Sequence, residues 1–366
     1  MTVYRYQINL SFEKADSTLL FQHQNALYSN APQGRGDKIE IRQSSITIFA
    51  DRTKKFDKDS MLNNVNNSVY IQILKSLLAY YSLSRNYRKL KSLVIKYSTI
   101  CARKKEKYIE VARETYRKDN QPIKQPFSIP VYVGSNILKE MWDHVDCAEY
   151  LVPALSHWLN ALSSNDRYFK FERLWRTFER LFFYVGRKNG ADKEIDCLRQ
   201  MRGTIVQQPS LIPQTMICAD KWSNDDVRSL LWRKLILNNY AVAGSRNLYE
   251  SYKNYFVCLN TDERIITMLE ETLTYRKNQL GLYGFLADIQ NHIRQKKLNP
   301  VKKNEDLVAL ICCKYAYFLR NKTFHGETND AYFSFSSKTQ NDDNIDMINE
   351  LLENLTSELI ASFDKL

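Results

Sequence analysis

Three polar residues near the end of the chain have side chains and a spacing that could support catalysis. Arg320, Asn321 and His325 stand in the string Arg-Asn-Lys-Thr-Phe-His, directly before Gly326. On a helix, Asn321 and His325 share a face, whereas Arg320 and His325 lie roughly 140° apart around the axis. The negative C-terminal end of a helix favours a protonated histidine near pH 7. A proton-carrying imidazole with a fixed guanidinium close by suits phosphodiester chemistry.

The element that must position these residues is a helix predicted from Asn304 to His325. Asn304 is its predicted N-cap, and Glu305 and Asp306 lie in the first turn, where the helix dipole favours acids. Gly326 is the usual residue just after a helix ends. Apolar residues surround most of the circumference, so we expect a buried helix. The residues that define it are Leu307, Leu310, Ile311, Ala316, Phe318 and Leu319.

The motif and its helix resemble a known family. The string from Arg320 to His325 resembles the Arg-x4-6-His motif of the HEPN superfamily, in its common form with a polar residue directly after the arginine. The family also places the motif at the end of a late hydrophobic helix. The Phe- and Trp-rich segment from Phe171 to Tyr184 resembles the early helix of HEPN domains. The resemblance spans residues 135–366, with a large insertion between the two helices.

This resemblance implies a metal-independent ribonuclease, because RNA carries its own nucleophile in the 2′-hydroxyl group. His325 would act as general base or general acid, and Arg320 would hold the scissile phosphate and its transition-state charge. Asn321 would orient His325 or the phosphate. The products would be a 2′,3′-cyclic phosphate and a 5′-hydroxyl. The family further suggests a toxin or an anti-phage defence effector.

HEPN nucleases usually build one cleft from two such motifs, and this chain has one match. The resemblance therefore implies a homodimer, or a partner protein that completes the composite site. Two alternatives stay open. One is a non-catalytic HEPN-like module that binds RNA or a protein within a larger defence complex. The other is a structural scaffold in which Arg320, Asn321 and His325 cap the helix end and form salt bridges.

The positive charge is concentrated in one stretch. The net charge is +12, and residues 85–124 contain 13 basic and 4 acidic residues, so 13 − 4 = +9 of it lies there. Because tyrosines are interleaved with these charges, the stretch is more typical of a surface that binds nucleic acid or an acidic protein than of a solvated charged face. The residues predicted to bind nucleic acid are Arg88, Lys89, Lys91, Arg103, Lys104, Lys105 and Lys107.

Composition excludes several other classes. No stretch approaches the roughly 20 apolar residues of a membrane-spanning helix, and the N-terminus has no secretory signal pattern. The seven cysteines are scattered, and the adjacent Cys312 and Cys313 fall in the predicted buried helix, so we expect reduced core thiols and a cytoplasmic protein. No Gly-rich loop follows the first strand. We predict no cofactor and no metal.

The sequence pattern of the N-terminal third predicts a small domain that contains both strands and helices. Tyr4 to Phe12 alternates apolar and polar residues, which is the period of a half-buried strand. Lys38 to Ala50 is also β-like, with a bulge or break where the apolar parity changes between Ile41 and Ile46. The other elements predicted here are a helix capped near Asn67, a strand around Leu93, and either a strand or a helix around Tyr108.

Beyond the prolines of residues 122–130 the pattern is almost entirely helical. Residues 203–226 are the exception, predicted as a long loop that contains Pro209 and Pro213. The last helix is predicted from Asn344 to Phe363. We therefore predict an α+β chain with a basic α/β region over residues 1–125 and a mainly α-helical, HEPN-like bundle over residues 126–366.

Overall fold

A computed structural model describes residues 3–27, 36–84, 87–100, 107–324 and 340–366, with the side chains of all these except 323, 324 and 340–342. An antiparallel sheet comes first and helices follow, which confirms the predicted α+β class with a mainly helical chain after a smaller α/β region. The chain divides into two compact units. The first is Met1–Tyr184 with Leu359–Leu366, and the second is Val185–Glu358. The domain bounds 1–125 and 126–366 stay a prediction.

Six strands form the sheet of the first unit, in the order β2-β3-β4-β1-β5-β6. Alternate residues of the central strand β1 are buried, from Tyr6 to Phe12, so the strand predicted from Tyr4 to Phe12 is confirmed. The strands are β1 Val3–Phe12, β2 Leu19–Ala26, β3 Asp37–Arg42, β4 Ser45–Arg52, β5 Leu90–Ile100 and β6 Ile109–Thr115.

The change of apolar parity in the second β-like stretch marks a reversal of the chain. Arg42 pairs with Ser45 across a two-residue connection, and Ile39 pairs with Ile48 in the antiparallel register of β3 and β4. The predicted bulge or break is therefore a tight hairpin. The reversal puts both apolar sets on the same face of the sheet, which a single continuous strand could not do.

Helices of the first unit cover this apolar face. Asn67 accepts a hydrogen bond from the Val69 amide (2.8 Å), so the predicted cap of α2 is confirmed. From α2, Tyr80 stacks on Phe12 of β1 with 3.7 Å between ring centroids. The helices of this unit are α1 Lys58–Leu62, α2 Ser68–Leu83, α3 Ser135–Asp143, α4 Val145–Leu162 and α5 Arg167–Lys188, whose last residues enter the second unit.

A charged network lies buried between the sheet and α2. Arg52 Nη1 and Nη2 each donate to one oxygen of Asp37, at 2.7 Å and 2.7 Å. Gln72 Nε2 donates to the same carboxylate (2.9 Å), and its amide oxygen accepts from Trp142 Nε1 (2.7 Å). Each of these buried polar groups therefore has a partner, as burial of charge requires.

The second unit is helical throughout its described residues, apart from short connections. The last helix begins earlier than the predicted Asn344. The helices are α6 Glu194–Gln207, α7 Pro213–Asp220, α8 Asn224–Ser229, α9 Trp232–Asn239, α10 Arg246–Ser251, α11 Glu263–Thr272, α12 Lys277–Leu282, α13 Leu286–Leu298, α14 Asn304–Leu310, α15 Ala316–Phe324 and α16 Gln340–Ala361.

The loop predicted for residues 203–226 is wrong. Helix α6 continues to Gln207, a 3₁₀ turn follows at Pro209–Leu211, and α7 begins at Pro213. Each proline occupies the first position of its helical segment, where the missing amide hydrogen costs nothing and the fixed φ angle suits a helix. The prolines therefore start helices here rather than interrupt them.

Candidate active site on the helix from Asn304 to Phe324

The helix that carries the Arg-Asn-x3-His motif is continuous over its described length. It consists of α14, a π-helical turn at Ile311–Tyr315 and α15, which ends its described part at Phe324. Its apolar side chains are buried all around the axis, so the prediction of a buried helix is confirmed. The buried residues are Leu307, Val308, Ala309, Leu310, Ile311, Cys312, Tyr315, Ala316, Phe318 and Leu319.

The start of the helix differs by one residue from the prediction. Lys303 occupies the capping position, and Asn304 is the first helical residue, so the cap predicted at Asn304 is wrong. The reason is that the Asn304 side-chain oxygen accepts from Arg264 Nη2 (2.9 Å). In the first turn, Asp306 accepts from the amide (2.8 Å) and the hydroxyl (2.7 Å) of Thr261. These bonds fix the N-terminal end of the helix.

Two of the three motif residues lie at the other end and contact each other. Arg320 and Asn321 are both half-buried, and Arg320 Nη1 donates to the Asn321 side-chain oxygen at 2.9 Å. Lys322 follows, and its ammonium group donates to the Asn238 side chain at 2.9 Å. His325 lies outside the described residues. The structure therefore brings Arg320 and Asn321 together, and the position of His325 relative to them stays a prediction.

The π-helical turn contains a basic residue that the sequence analysis missed. Lys314 is half-buried, and its ammonium nitrogen lies 5.4 Å from the centre of the Tyr240 ring. Burial, with a smaller contribution from the nearby Arg199 guanidinium, lowers the pKa of Lys314 to about 8. The sequence signal was available, because Lys314 is the only charged residue between Leu307 and Leu319. A π-helical turn within an α-helix is frequent at functional sites.

The thiols of the same turn do not supply a nucleophile. Cys312 and Cys313 are free, and burial raises the pKa of both, that of Cys313 to about 12. They are therefore protonated near pH 7, whereas thiolate is the form that attacks a substrate or binds a metal. This agrees with the expected reduced core thiols.

The charge along the C-terminal half of the helix is entirely positive. Between Leu307 and Phe324 the sequence contains Lys314, Arg320 and Lys322 and no acidic residue. Of these three residues, Arg320 presents a planar guanidinium that matches the oxygens of a phosphate. The chemistry that this end of the helix can support is the binding of a phosphate and the stabilisation of added negative charge on it.

The predicted nucleic-acid-binding residues fall into three groups. Arg88 is largely engaged, since it donates to the Asp16 carboxylate (2.9 Å) and to the Lys14 carbonyl (2.9 Å). A second group is accessible and forms no ion pair with any described residue: Lys89, Lys91 and Lys107. The third group lies outside the described residues: Arg103, Lys104 and Lys105.

Within the described ranges, no group of three or more His, Cys, Asp or Glu side chains is arranged to hold a metal ion. None of the helices in these ranges is long and apolar enough to cross a membrane. No family model, curated protein or solved structure matches the chain. The HEPN resemblance therefore depends on the motif and on the helices that carry it.

Proposed function

We propose that this protein is a metal-independent endoribonuclease of the HEPN type, which cuts RNA by attack of a 2′-hydroxyl group on the adjacent phosphorus. The observation that carries this proposal is the Arg320–Asn321 pair at the half-exposed end of a helix that is otherwise buried. A guanidinium fixed by its neighbour is pre-organised for phosphate, since less side-chain entropy is lost on binding. The absence of acidic residues from Leu307 to Phe324 supports the same substrate class.

The proposed reaction needs only proton transfers and charge stabilisation. The 2′-oxygen forms a bond to phosphorus while the bond from phosphorus to the 5′-oxygen breaks. His325 accepts the proton of the 2′-hydroxyl or donates one to the leaving 5′-oxygen. Arg320 stabilises the additional negative charge on the phosphorane, and Asn321 holds Arg320 through the 2.9 Å hydrogen bond. The products are a 2′,3′-cyclic phosphate and a 5′-hydroxyl.

The proposed cleft takes one motif from each of two chains, in a homodimer or with a partner protein. Two histidines are useful, because one removes a proton while the other supplies one. By the same resemblance, we propose a role as a toxin or an anti-phage defence effector in the cytoplasm. RNA is the proposed substrate.

The test is incubation of the purified protein with total RNA in EDTA, beside the Arg320→Ala, His325→Ala and Lys322→Ala variants. Lys322 is the matched control, because it lies on the same turn and is hydrogen-bonded to Asn238. We expect cleavage by the wild type and by Lys322→Ala, with cyclic-phosphate ends. Each of the other two variants should lose about 100-fold or more of the rate.

Equal cleavage by all four proteins would show that the motif does not act in catalysis. Binding of RNA without cleavage by any of them would favour the second candidate, a non-catalytic HEPN-like module that binds RNA or a protein. The observation behind this second candidate is the set of accessible lysines Lys89, Lys91 and Lys107. Such a module would bind RNA with a steep dependence on salt.

A further inference from the structure

The sheet of the first unit has a second face that points away from α2. The packed face is fixed by the stacking of Tyr80 on Phe12 and by the hydrogen bond from Arg52 Nε to the Ser68 hydroxyl (2.8 Å). Because side chains alternate along a strand, the residues between the buried ones point to the opposite side. This outer face includes Arg5, Gln7, Asn9, Lys38, Thr47, Phe49, Val94 and Lys96.

One row across the outer face contains an exposed aromatic ring between two lysines. In the strand register, Lys38 pairs with Phe49, Phe49 pairs with Gln7, and Gln7 pairs with Lys96. Neighbouring strands are about 4.8 Å apart, so the row extends over about 14 Å from Lys38 to Lys96. Phe49 is 37 % exposed, whereas its neighbours in sequence, Ile48 and Ala50, are fully buried.

The acids of the outer face form their ion pairs with arginines and not with these two lysines. Each acid on the face forms an ion pair with an arginine of the same face. Lys38 and Lys96 form no ion pair with a described residue. Glu110 lies opposite Lys96 in the strand register but is paired with Arg113, so Lys96 is partly compensated, whereas no described carboxylate lies opposite Lys38. The three ion pairs are Arg5–Asp51 (2.9 Å), Arg42–Glu40 (2.5 Å) and Arg113–Glu110 (2.8 Å).

Two amide side chains lie beside the ring. The Gln7 side chain, next to Phe49 in the row, makes no hydrogen bond to any residue that the structure describes. Asn9, one row further along β1, accepts from the Thr47 hydroxyl at 3.3 Å and keeps its amide hydrogens for another acceptor. An amide presents both donors and acceptors, as the edge of a nucleobase does.

We propose that this row binds single-stranded RNA, with one base stacked on Phe49 and the flanking phosphates on Lys38 and Lys96. Gln7 then contacts the edge of the stacked base. An aromatic side chain on a sheet surface accepts any base, because every base has a π face, and lysines alongside it follow the backbone. A duplex is excluded as the ligand of Phe49, because its bases are stacked on each other. This site does not depend on cleavage by the helix motif.

The test is fluorescence anisotropy of the full-length protein with a labelled single-stranded oligonucleotide. Its riboses are 2′-O-methylated so that they cannot attack phosphorus, and binding is thus measured whether or not the protein is a nuclease. Stacking contributes about 1–3 kcal/mol per base, so Phe49→Ala should weaken binding about 5- to 150-fold. Phe49→Tyr keeps the ring and should bind like the wild type. Tyr132→Ala, which removes an aromatic ring that is 60 % exposed, is the matched control.

Salt titrations test the lysines separately. Each phosphate contact in single-stranded nucleic acid contributes about 0.7 to the slope of log K against log salt, so Lys38→Gln and Lys96→Gln should each lower the slope by about that amount. Lys58→Gln is the control, since Lys58 is paired with Glu114 at 2.5 Å. Equal affinity of wild type and Phe49→Ala would overturn the proposal. So would equal affinity for duplex and single strand, or an effect of Phe49→Ala on self-association alone.

Discussion

A buried or half-buried lysine occurs in each unit, and the two lysines differ in what surrounds them. Burial lowers the pKa of Lys75, in the first unit, and of Lys314, in the second unit, to about 8. Lys75 donates a hydrogen bond to the Met141 carbonyl, and the Asp37 carboxylate opposes its pKa shift. Around Lys314, the neighbouring charge is the Arg199 guanidinium, which lowers its pKa further.

The two environments distinguish a lysine that stabilises the fold from a lysine that suits an anionic ligand. A buried cation with a carbonyl and a carboxylate nearby is compensated within the fold. A cation beside another cation is not, and a bound anion would restore its usual pKa. Lys314 makes no hydrogen bond within the described residues and lies on the helix that carries Arg320. We therefore expect Lys75 to stabilise the fold and Lys314 to favour anionic substrates at some cost in stability.

The largest change in stability should come from breaking the buried ion pair between Arg52 and Asp37. In Arg52→Met, the Asp37 carboxylate stays buried and loses two hydrogen bonds of 2.7 Å. The free energy of unfolding, measured in urea, should fall by about 3–5 kcal/mol. Arg5→Met removes the exposed pair with Asp51 from the other face of the sheet and should cost less than about 1 kcal/mol. Equal losses would mean that burial does not distinguish the two pairs.

A smaller loss of stability is expected in the second unit, where backbone amides at the start of α7 donate hydrogen bonds to a buried glutamate. Glu358 is buried and accepts from the amides of Gln214 (2.7 Å) and Thr215 (2.8 Å) at the N-terminus of α7. Glu358→Gln removes the charge and one acceptor, so the free energy of unfolding in urea should fall by about 2–3 kcal/mol. Glu350→Gln, at an exposed position on the same helix, is the control and should change stability by less than about 0.5 kcal/mol. A loss no larger than that of the control would contradict the capping role.

Lys314→Met should raise the free energy of unfolding, by less than the two losses predicted above. The folded pKa of about 8 lies below the unfolded value of 10.5, so the folded state binds fewer protons between these pH values. Wild-type stability should therefore rise from pH 8 to pH 10.5, and Lys314 should lower it below pH 8. We expect the variant to gain about 1–2 kcal/mol at pH 7 and almost nothing near pH 10.5.

This gain is measured by urea unfolding at several pH values, with Lys75→Met beside it. Lys75→Met removes the hydrogen bond to Met141, so any gain from the lost charge should be offset. A pH-independent effect of Lys314→Met would show that packing, rather than the protonation of Lys314, determines it.

Periodicity predicted the elements whose burial depends on their own sequence. Strand β1 and the buried helix from Asn304 are examples, since one apolar pattern determines each. Strand β2 was missed because polar residues of Leu19–Ala26 are mixed with its apolar ones, and pairing with β3 decides its conformation. The region around Tyr108, left open as strand or helix, contains β6 for the same reason.

The site was less accessible to sequence reasoning. The neighbouring Arg320 and Asn321 were singled out from a motif, and the structure shows a hydrogen bond between them. Lys314 was missed because its environment depends on Tyr240 and Arg199, which are far away in sequence. The outer-face row with Phe49 depends on strand register, which no single strand pattern determines.

The π-helical turn at Ile311–Tyr315 has a consequence for insertions and deletions in this chain. Such a turn accommodates one residue more than an α-helix would, and the surrounding helix continues. Deleting one residue there would restore the α-helical ladder and keep the residues after it in nearly the same orientation relative to α14, whereas a deletion in a regular α-helical part of the helix would rotate them by about 100°. Arg320 and Asn321 would therefore keep their direction after a deletion within the turn and change it after a deletion in α14. The turn is thus the part of this helix in which the chain can lose one residue without redirecting the motif.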